Sequence, residues 1–118
     1  MQVTKEFVFD AAHNLPHYHG KCERLHGHTY RLWVTVSARV DPATGIAYDF
    51  SHLSDLVKRE VIDPLDHTYL NETIENSTAE NVTLWIWNRI AKHLPAEVLL
   101  NEVRLWETPT SAVSYRGE

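Results

Sequence analysis

The 118-residue sequence predicts an α+β domain, a four-stranded antiparallel sheet with two helices on one face. Three observations predict it. Two long segments near the N-terminus alternate apolar with polar residues, as half-buried strands do. Two later segments place apolar residues at helical spacing, and two short alternating segments close the chain. Strands followed by helices and then strands, with no long crossover between parallel neighbours, give segregated helices covering one sheet face. With 43% hydrophobic residues the chain reads as a single domain over residues 1–118.

The first strand runs from Val3 to His13, because Phe7, Phe9 and Ala11 share one face and His13 extends it. The second runs from Gly27 to Val40, where Tyr30, Leu32, Val34, Val36, Ala38 and Val40 share the parity of His26 and His28. Asn14 to His26 forms the loop between them. Asp41-Pro-Ala-Thr-Gly45 is a turn leading into a short extended piece through Tyr48. Ser51 opens the first helix, whose apolar face carries Leu53, Leu56, Val57 and Val61 and which Pro64 should stop. Ser77 and Glu80 form a capping-box pair for the second, with Val82, Trp85, Ile86 and Ile90 as its stripe toward Pro95. The last strands lie near Glu102–Glu107 and Ala112–Tyr115. Trp85, Trp87 and Trp106 are expected to serve packing.

Composition narrows the function. A single cysteine, Cys22, excludes an intrachain disulfide framework. No charged-then-apolar leader is seen at the N-terminus, so the expected location is cytoplasmic. No apolar run approaches the roughly 20 residues that span a bilayer. A net charge of -5 argues against a general nucleic-acid surface. The second strand's other face carries Thr29, Arg31, Trp33, Thr35, Ser37 and Arg39, suited to water or a hydrated interior. An open sheet also leaves unpaired edges, which pairing between subunits into a closed barrel removes, so an oligomer is expected.

The chemistry concentrates in Cys22-Glu-Arg-Leu-His26-Gly-His28. Histidines two apart on an extended segment point to one face, and Gly27 permits close approach. A catalytic zinc takes three protein ligands and keeps a fourth position open, which makes His13 the candidate third ligand. If the first two strands pair antiparallel without a bulge, their histidine ends meet at one end of the sheet. Asp66-His67 puts a carboxylate beside an imidazole in the inter-helix segment, where one can orient or tune the other. Glu107 shares the parity of Val103 and Leu105, ending an apolar strand face with a carboxylate. A ligand with a guanidine-like or amino-amide edge, such as a pterin, would supply its donors.

Several motifs together carry a family resemblance. They are Phe9-Asp-Ala-Ala-His13, Cys22-x-x-x-His26-Gly-His28, Leu65-Asp-His67 with Tyr69-Leu-Asn71, Ser77-Thr78 before the second helix, and Glu107-Thr leading to Tyr115-Arg-Gly-Glu118. Nearly the whole chain resembles the zinc-dependent tetrahydropterin synthases of the tunnelling fold. It is most similar to the 6-carboxytetrahydropterin synthases of 7-deazapurine (queuosine precursor) biosynthesis, because the interval from Cys22 to His26 is short. Ser77 departs from the proline common there.

That resemblance implies a lyase converting 7,8-dihydroneopterin triphosphate to 6-carboxy-5,6,7,8-tetrahydropterin, with loss of acetaldehyde and triphosphate. It implies Zn2+ on His13, His26 and His28, proton transfer by Cys22 with Asp66 and His67 as a relay, and Glu107 as the pterin anchor. It also implies a homohexamer of two stacked trimers, with Cys22 and the Asp66-His67 pair coming from different chains at each site. The sister reaction giving 6-pyruvoyltetrahydropterin stays open, as does a related pterin side-chain lyase. A non-catalytic module is the other alternative, with zinc closed by Cys22 as a fourth ligand. Histidine ligation also admits iron or cobalt. Lys21, Arg24 and Arg116 are candidate triphosphate contacts that ordinary solvated surface explains equally well.

Overall fold

Alternation in the N-terminal third becomes two paired strands in the computed structural model, which describes residues 1–118. Strand β1 (Gln2–His13) and strand β2 (His26–Ser37) pair antiparallel, from Gln2 opposite Ser37 to His13 opposite His26. No bulge interrupts that register, so the parity read from the sequence survives along its whole length. Strand β2 ends three residues before Val40 and gives way after Ala38, whose N–H bonds the Met1 carbonyl. The segment through Tyr48 forms turns rather than an extended piece.

Helix α1 (Phe50–Val57) begins one residue before Ser51, because the Asp49 carboxylate caps it by accepting from the Ser51 N–H at 2.8 Å. Pro64 does not stop the rod. The chain passes through a π-helical turn (Lys58–Ile62) into a short helix α2 (Asp63–Leu65). A proline in a regular helix collides with the carbonyl four residues back, here that of Glu60. Widening the turn, with the Asp63 N–H bonded to the Lys58 carbonyl, relieves the clash. The Glu60 carbonyl left over accepts from Arg89 Nε at 3.2 Å. The rod breaks at Asp66, which turns extended, and His67 takes a left-handed backbone at φ 59. That conformation is uncommon outside glycine. The Asp10 carbonyl holds it by accepting the His67 N–H at 2.6 Å.

Helix α3 (Ala79–Ala91) is capped by Thr78 and not by Ser77, since the Thr78 hydroxyl accepts the Asn81 N–H at 3.1 Å. Ser77 is fully buried and makes other bonds. Strands β4 (Leu99–Thr108) and β5 (Ser111–Tyr115) form the closing hairpin, β4 starting three residues earlier than alternation indicated.

The sheet has five strands in the order β3-β1-β2-β4-β5, where the extra strand β3 (Thr68–Tyr69) pairs parallel with Ala11 and Ala12 of β1. Two residues are too few for alternation to register, which is why four strands were expected. The helices cover one face. Phe9, Tyr30, Leu32, Val103 and Leu105 from the sheet meet Leu53, Val57, Val61, Val82 and Ile86 in one buried cluster. On the uncovered face Trp106 lies beneath the Arg31 guanidinium, 4.2 Å from its ring centre, and beside Trp33 at 4.9 Å. Arg31 is also paired with Glu6 at 3.3 Å. Trp106 therefore belongs to the polar face, while Trp85 and Trp87 pack at the margin of the core. No helix is long and apolar enough to cross a membrane.

Thr78→Ala should lower stability by about 1 kcal/mol, the usual worth of a hydroxyl N-cap, as read by urea unfolding. An unchanged midpoint would assign the cap of α3 elsewhere.

Candidate metal centre

His13 ends β1, and His26 and His28 begin β2, so the uninterrupted register sets all three side by side on the helix-covered face. One donor nitrogen from each lies within 4.8 Å of the others. His13 Nε2 and His26 Nε2 are 3.1 Å apart. A tetrahedral zinc with Zn–N of about 2.1 Å would set such nitrogens roughly 3.4 Å apart.

The tautomers follow from the partners. A carbonyl only accepts, so His13 Nδ1 carries a proton and donates it to the Ser77 carbonyl at 2.8 Å. His26 Nδ1 likewise donates to the Arg24 carbonyl at 2.7 Å. In the neutral rings both Nε2 atoms then present lone pairs to each other, an arrangement that repels unless a cation or proton lies between. His28 Nε2 is buried with no hydrogen-bond partner, although Glu107 Oε1 lies 3.3 Å away. Burial holds the His13 and His28 imidazoles below their ordinary value, outweighing the Ser77 carbonyl and the Glu107 charge at His13 and the Glu107 charge at His28. Three imidazoles whose donor nitrogens converge on one point, that of His28 without a partner in the protein, fit a divalent metal. The Cys22 thiol lies outside this set.

Glu107 sits where the β4–β5 pairing slips, between Trp106 and Thr108. Continuing the register of Arg31 opposite Trp106 puts it across from Tyr30 and diagonal to His28. Tyr30 is fully buried, its hydroxyl has no partner, and burial followed by the Glu107 charge pushes its phenol up.

Cys22 lies half-buried in a short turn (Lys21–Glu23), tied down by its own carbonyl, which accepts the Leu15 N–H at 2.7 Å. Asp66 and His67 form a separate constellation at the outer edge of β1. His67 Nδ1 is 3.0 Å from Asp66 Oδ1, and the same oxygen accepts the Asp10 N–H at 3.0 Å. These bonds hold the Asp66 carboxyl below its usual range, the Asp10 N–H foremost. Asp10 joins the pair through its own carboxylate, which accepts the Thr29 hydroxyl. An open cavity of about 550 Å³ is lined by Gly27, His28, Thr29, His67 and Tyr69, among others. Within one chain the structure gathers the three histidines and Glu107, but sets Asp66 and His67 in another group.

Sequence reasoning missed the groups that hold these residues. Asn71 and Ser77 grip the His13 end of β1, and the Ser77 and Arg24 carbonyls fix two tautomers. Asn71 stood within a quoted motif; carbonyl contacts leave no side-chain signature to read.

Comparison with known proteins matches this architecture over its full length. The family model described as 6-pyruvoyl tetrahydropterin synthase matches residues 2–118. A Synechocystis protein named 6-carboxy-5,6,7,8-tetrahydropterin synthase is 41% identical, over 96% of this chain and 91% of its own. A Haemophilus influenzae protein of the same name is 35% identical over 98% of each. The human 6-pyruvoyl tetrahydrobiopterin synthase is 34% identical over 99% of this chain and 92% of its own. The structure of Caenorhabditis elegans 6-pyruvoyl tetrahydropterin synthase superposes with a TM-score of 0.89 at 28% identity, covering 100% of this chain and 96% of that one. The tunnelling fold expected from the resemblance is the fold observed.

Because His13 and His28 are held below 6.5 in the folded chain, the unfolded chain binds more protons as pH falls through that value. Chelator-treated protein should therefore keep full stability above pH about 6.5 and lose it progressively below. Urea midpoints measured between pH 8 and pH 5 check this, above the range where Asp66 contributes in the same direction. A midpoint that rises on acidification would contradict the assignment.

Proposed function

This chain belongs to the 6-pyruvoyl tetrahydropterin synthase family, and from that premise we propose that it is a zinc-dependent carbon–carbon lyase of the 6-carboxytetrahydropterin synthase type. The proposed reaction takes 7,8-dihydroneopterin triphosphate and water to 6-carboxy-5,6,7,8-tetrahydropterin, acetaldehyde and triphosphate. The proposed setting is 7-deazapurine biosynthesis in the cytoplasm. The carrying observation is the convergence of His13, His26 and His28 on one point, with His28 Nε2 unpartnered and Glu107 at its side. The relatives named for the carboxy product and the short interval between Cys22 and His26 favour this product over the pyruvoyl one.

His13, His26 and His28 would hold a divalent ion, which when bound would supply Lewis-acid polarisation of the substrate's side-chain oxygens. The chain's own residues do the rest. Glu107, at the end of an apolar strand face, accepts paired N–H bonds from the amino-amide edge of the pterin and so fixes where its side chain lies. Cys22, in the turn that leads into the histidine strand, takes a proton from a side-chain carbon of the substrate. His67, held against Asp66 on an unusual backbone, exchanges protons with the reacting centre and restores the protonation state. Asp66 keeps the imidazole oriented through their 3.0 Å contact.

The two constellations are distinct clusters, and the proposed site is completed by a second copy, one chain giving the histidines and Cys22 and another giving Asp66 and His67. The outer edges of β1, beyond β3, and of β5 are unpaired and can join copies into a barrel. A homohexamer of two trimers is the proposed assembly.

Mass spectrometry of products from zinc-loaded protein and 7,8-dihydroneopterin triphosphate tests the reading. The expected products are 6-carboxytetrahydropterin and acetaldehyde. 6-Pyruvoyltetrahydropterin would reassign the reaction, and no turnover would refute the lyase. Cys22→Ala should abolish turnover and keep one zinc per chain; full activity would remove Cys22 from the chemistry. Glu107→Ala should weaken pterin binding while leaving zinc stoichiometry unchanged, and unaltered affinity for the pterin product would overturn its role as anchor.

A further inference from the structure

We propose that Asn71 is a positioning residue for the metal centre, a clamp that aligns His13 through both the residue that follows it and the residue that receives its ring proton. The inference rests on the reading of the three histidines as a metal site. Asn71 Oδ1 accepts the Asn14 N–H at 3.1 Å and the Ser77 hydroxyl at 2.8 Å. Its Nδ2 donates to the Asn14 carbonyl at 2.8 Å and to the Glu75 carbonyl at 3.0 Å. Two donors on one side of the amide and two acceptors on the other fix its orientation, since a flip would set N–H against N–H.

The consequence reaches His13 by two routes. Asn14 is the residue after His13, and Asn71 satisfies both of its backbone groups just where β1 ends and its ladder stops. Ser77 is fully buried, and its carbonyl takes the His13 Nδ1–H at 2.8 Å while its hydroxyl is turned onto Asn71. That hydroxyl also stands 3.4 Å from His13 Nδ1. With the hydroxyl committed to Asn71, the carbonyl is the strong acceptor the ring sees. The His13 proton therefore stays on Nδ1 and Nε2 stays free to bind a metal. Outer-shell partners that fix an imidazole in this way raise metal affinity without touching the ion. The same clamp extends toward Cys22, because the Asn14 side chain bonds the Glu23 carbonyl at 3.4 Å.

The test compares Asn71→Ala with Asn81→Ala. Asn81 holds the same loop through its bond to the Asn76 carbonyl at 2.8 Å, and makes no hydrogen bond to the Ser77 hydroxyl, the Ser77 carbonyl or His13. Zinc affinity is measured by chelator competition, and the His13 tautomer by 15N NMR of the metal-free protein. Asn71→Ala should lower zinc affinity about 10- to 100-fold and turn a single Nδ1-protonated ring into an averaged one. Asn81→Ala should lower the melting temperature and leave both readouts as in the wild type. Should Asn71→Ala not fold, Ser77→Ala, which removes only the hydroxyl link, must lower zinc affinity in the same direction, while the retained carbonyl keeps the His13 proton on Nδ1. Wild-type values in the clamp variant, or equal losses in Asn71→Ala and Asn81→Ala, would overturn the proposal. A wild type that takes up no zinc would refute the metal reading, and the tautomer would still decide the role of Asn71.

Discussion

The pairing of β1 with β2 is the constraint on which everything else depends. Side chains alternate with a period of two, so a slip of one residue would send His26 and His28 to the polar face while His13 stayed in the core. Twelve opposed pairs hold the register from Gln2 and Ser37 to His13 and His26. Phe9 stacked on Tyr30, with ring centres 5.0 Å apart, locks it near the histidine end. The same pairs that bury the core therefore aim the three imidazoles, and stability and site geometry are not separable along these strands.

A second order of control lies in the backbone carbonyls. Ser77 and Arg24 each take an Nδ1 proton and leave Nε2 atoms 3.1 Å apart, facing one another. Burial disfavours protonating His13, and the His28 nitrogen has no partner in the protein. Such a cluster is costly in an empty fold, because buried polar atoms left unpaired lose their hydration without return. A bound cation removes that cost, which is the physical reason to read it as a metal centre. The π-helical turn before Pro64 serves the other constellation. It carries the rod to Asp66, where bonds to Asp10 dock the pair on the edge of β1.

How far the sequence was legible follows from the range of each signal. Alternation gave the parity of His13, His26 and His28 because β1 and β2 pair without a bulge. Helical spacing gave the core face of the rod, but not its course past Pro64, since Arg89 satisfies the freed Glu60 carbonyl from another helix. Ser77 reads as a cap in a capping-box pattern, yet burial turns it to Asn71 and His13, and Thr78 takes the cap. The strand β3 escaped notice because two residues have no period. Glu107 was legible by parity, whereas the neighbouring slip in the β4–β5 pairing was not. The separation of Asp66 and His67 from the histidines is a fact of topology that local patterns do not carry.

Cobalt titration followed by absorption spectroscopy tests most directly the claim of a three-histidine centre with an open position. The account predicts one equivalent bound per chain, a spectrum of nitrogen and oxygen ligation without thiolate charge transfer, and loss of uptake in His28→Ala. A strong thiolate band would place Cys22 on the metal and close the site, and undiminished binding in His28→Ala would remove that ligand. Either result would contradict the account.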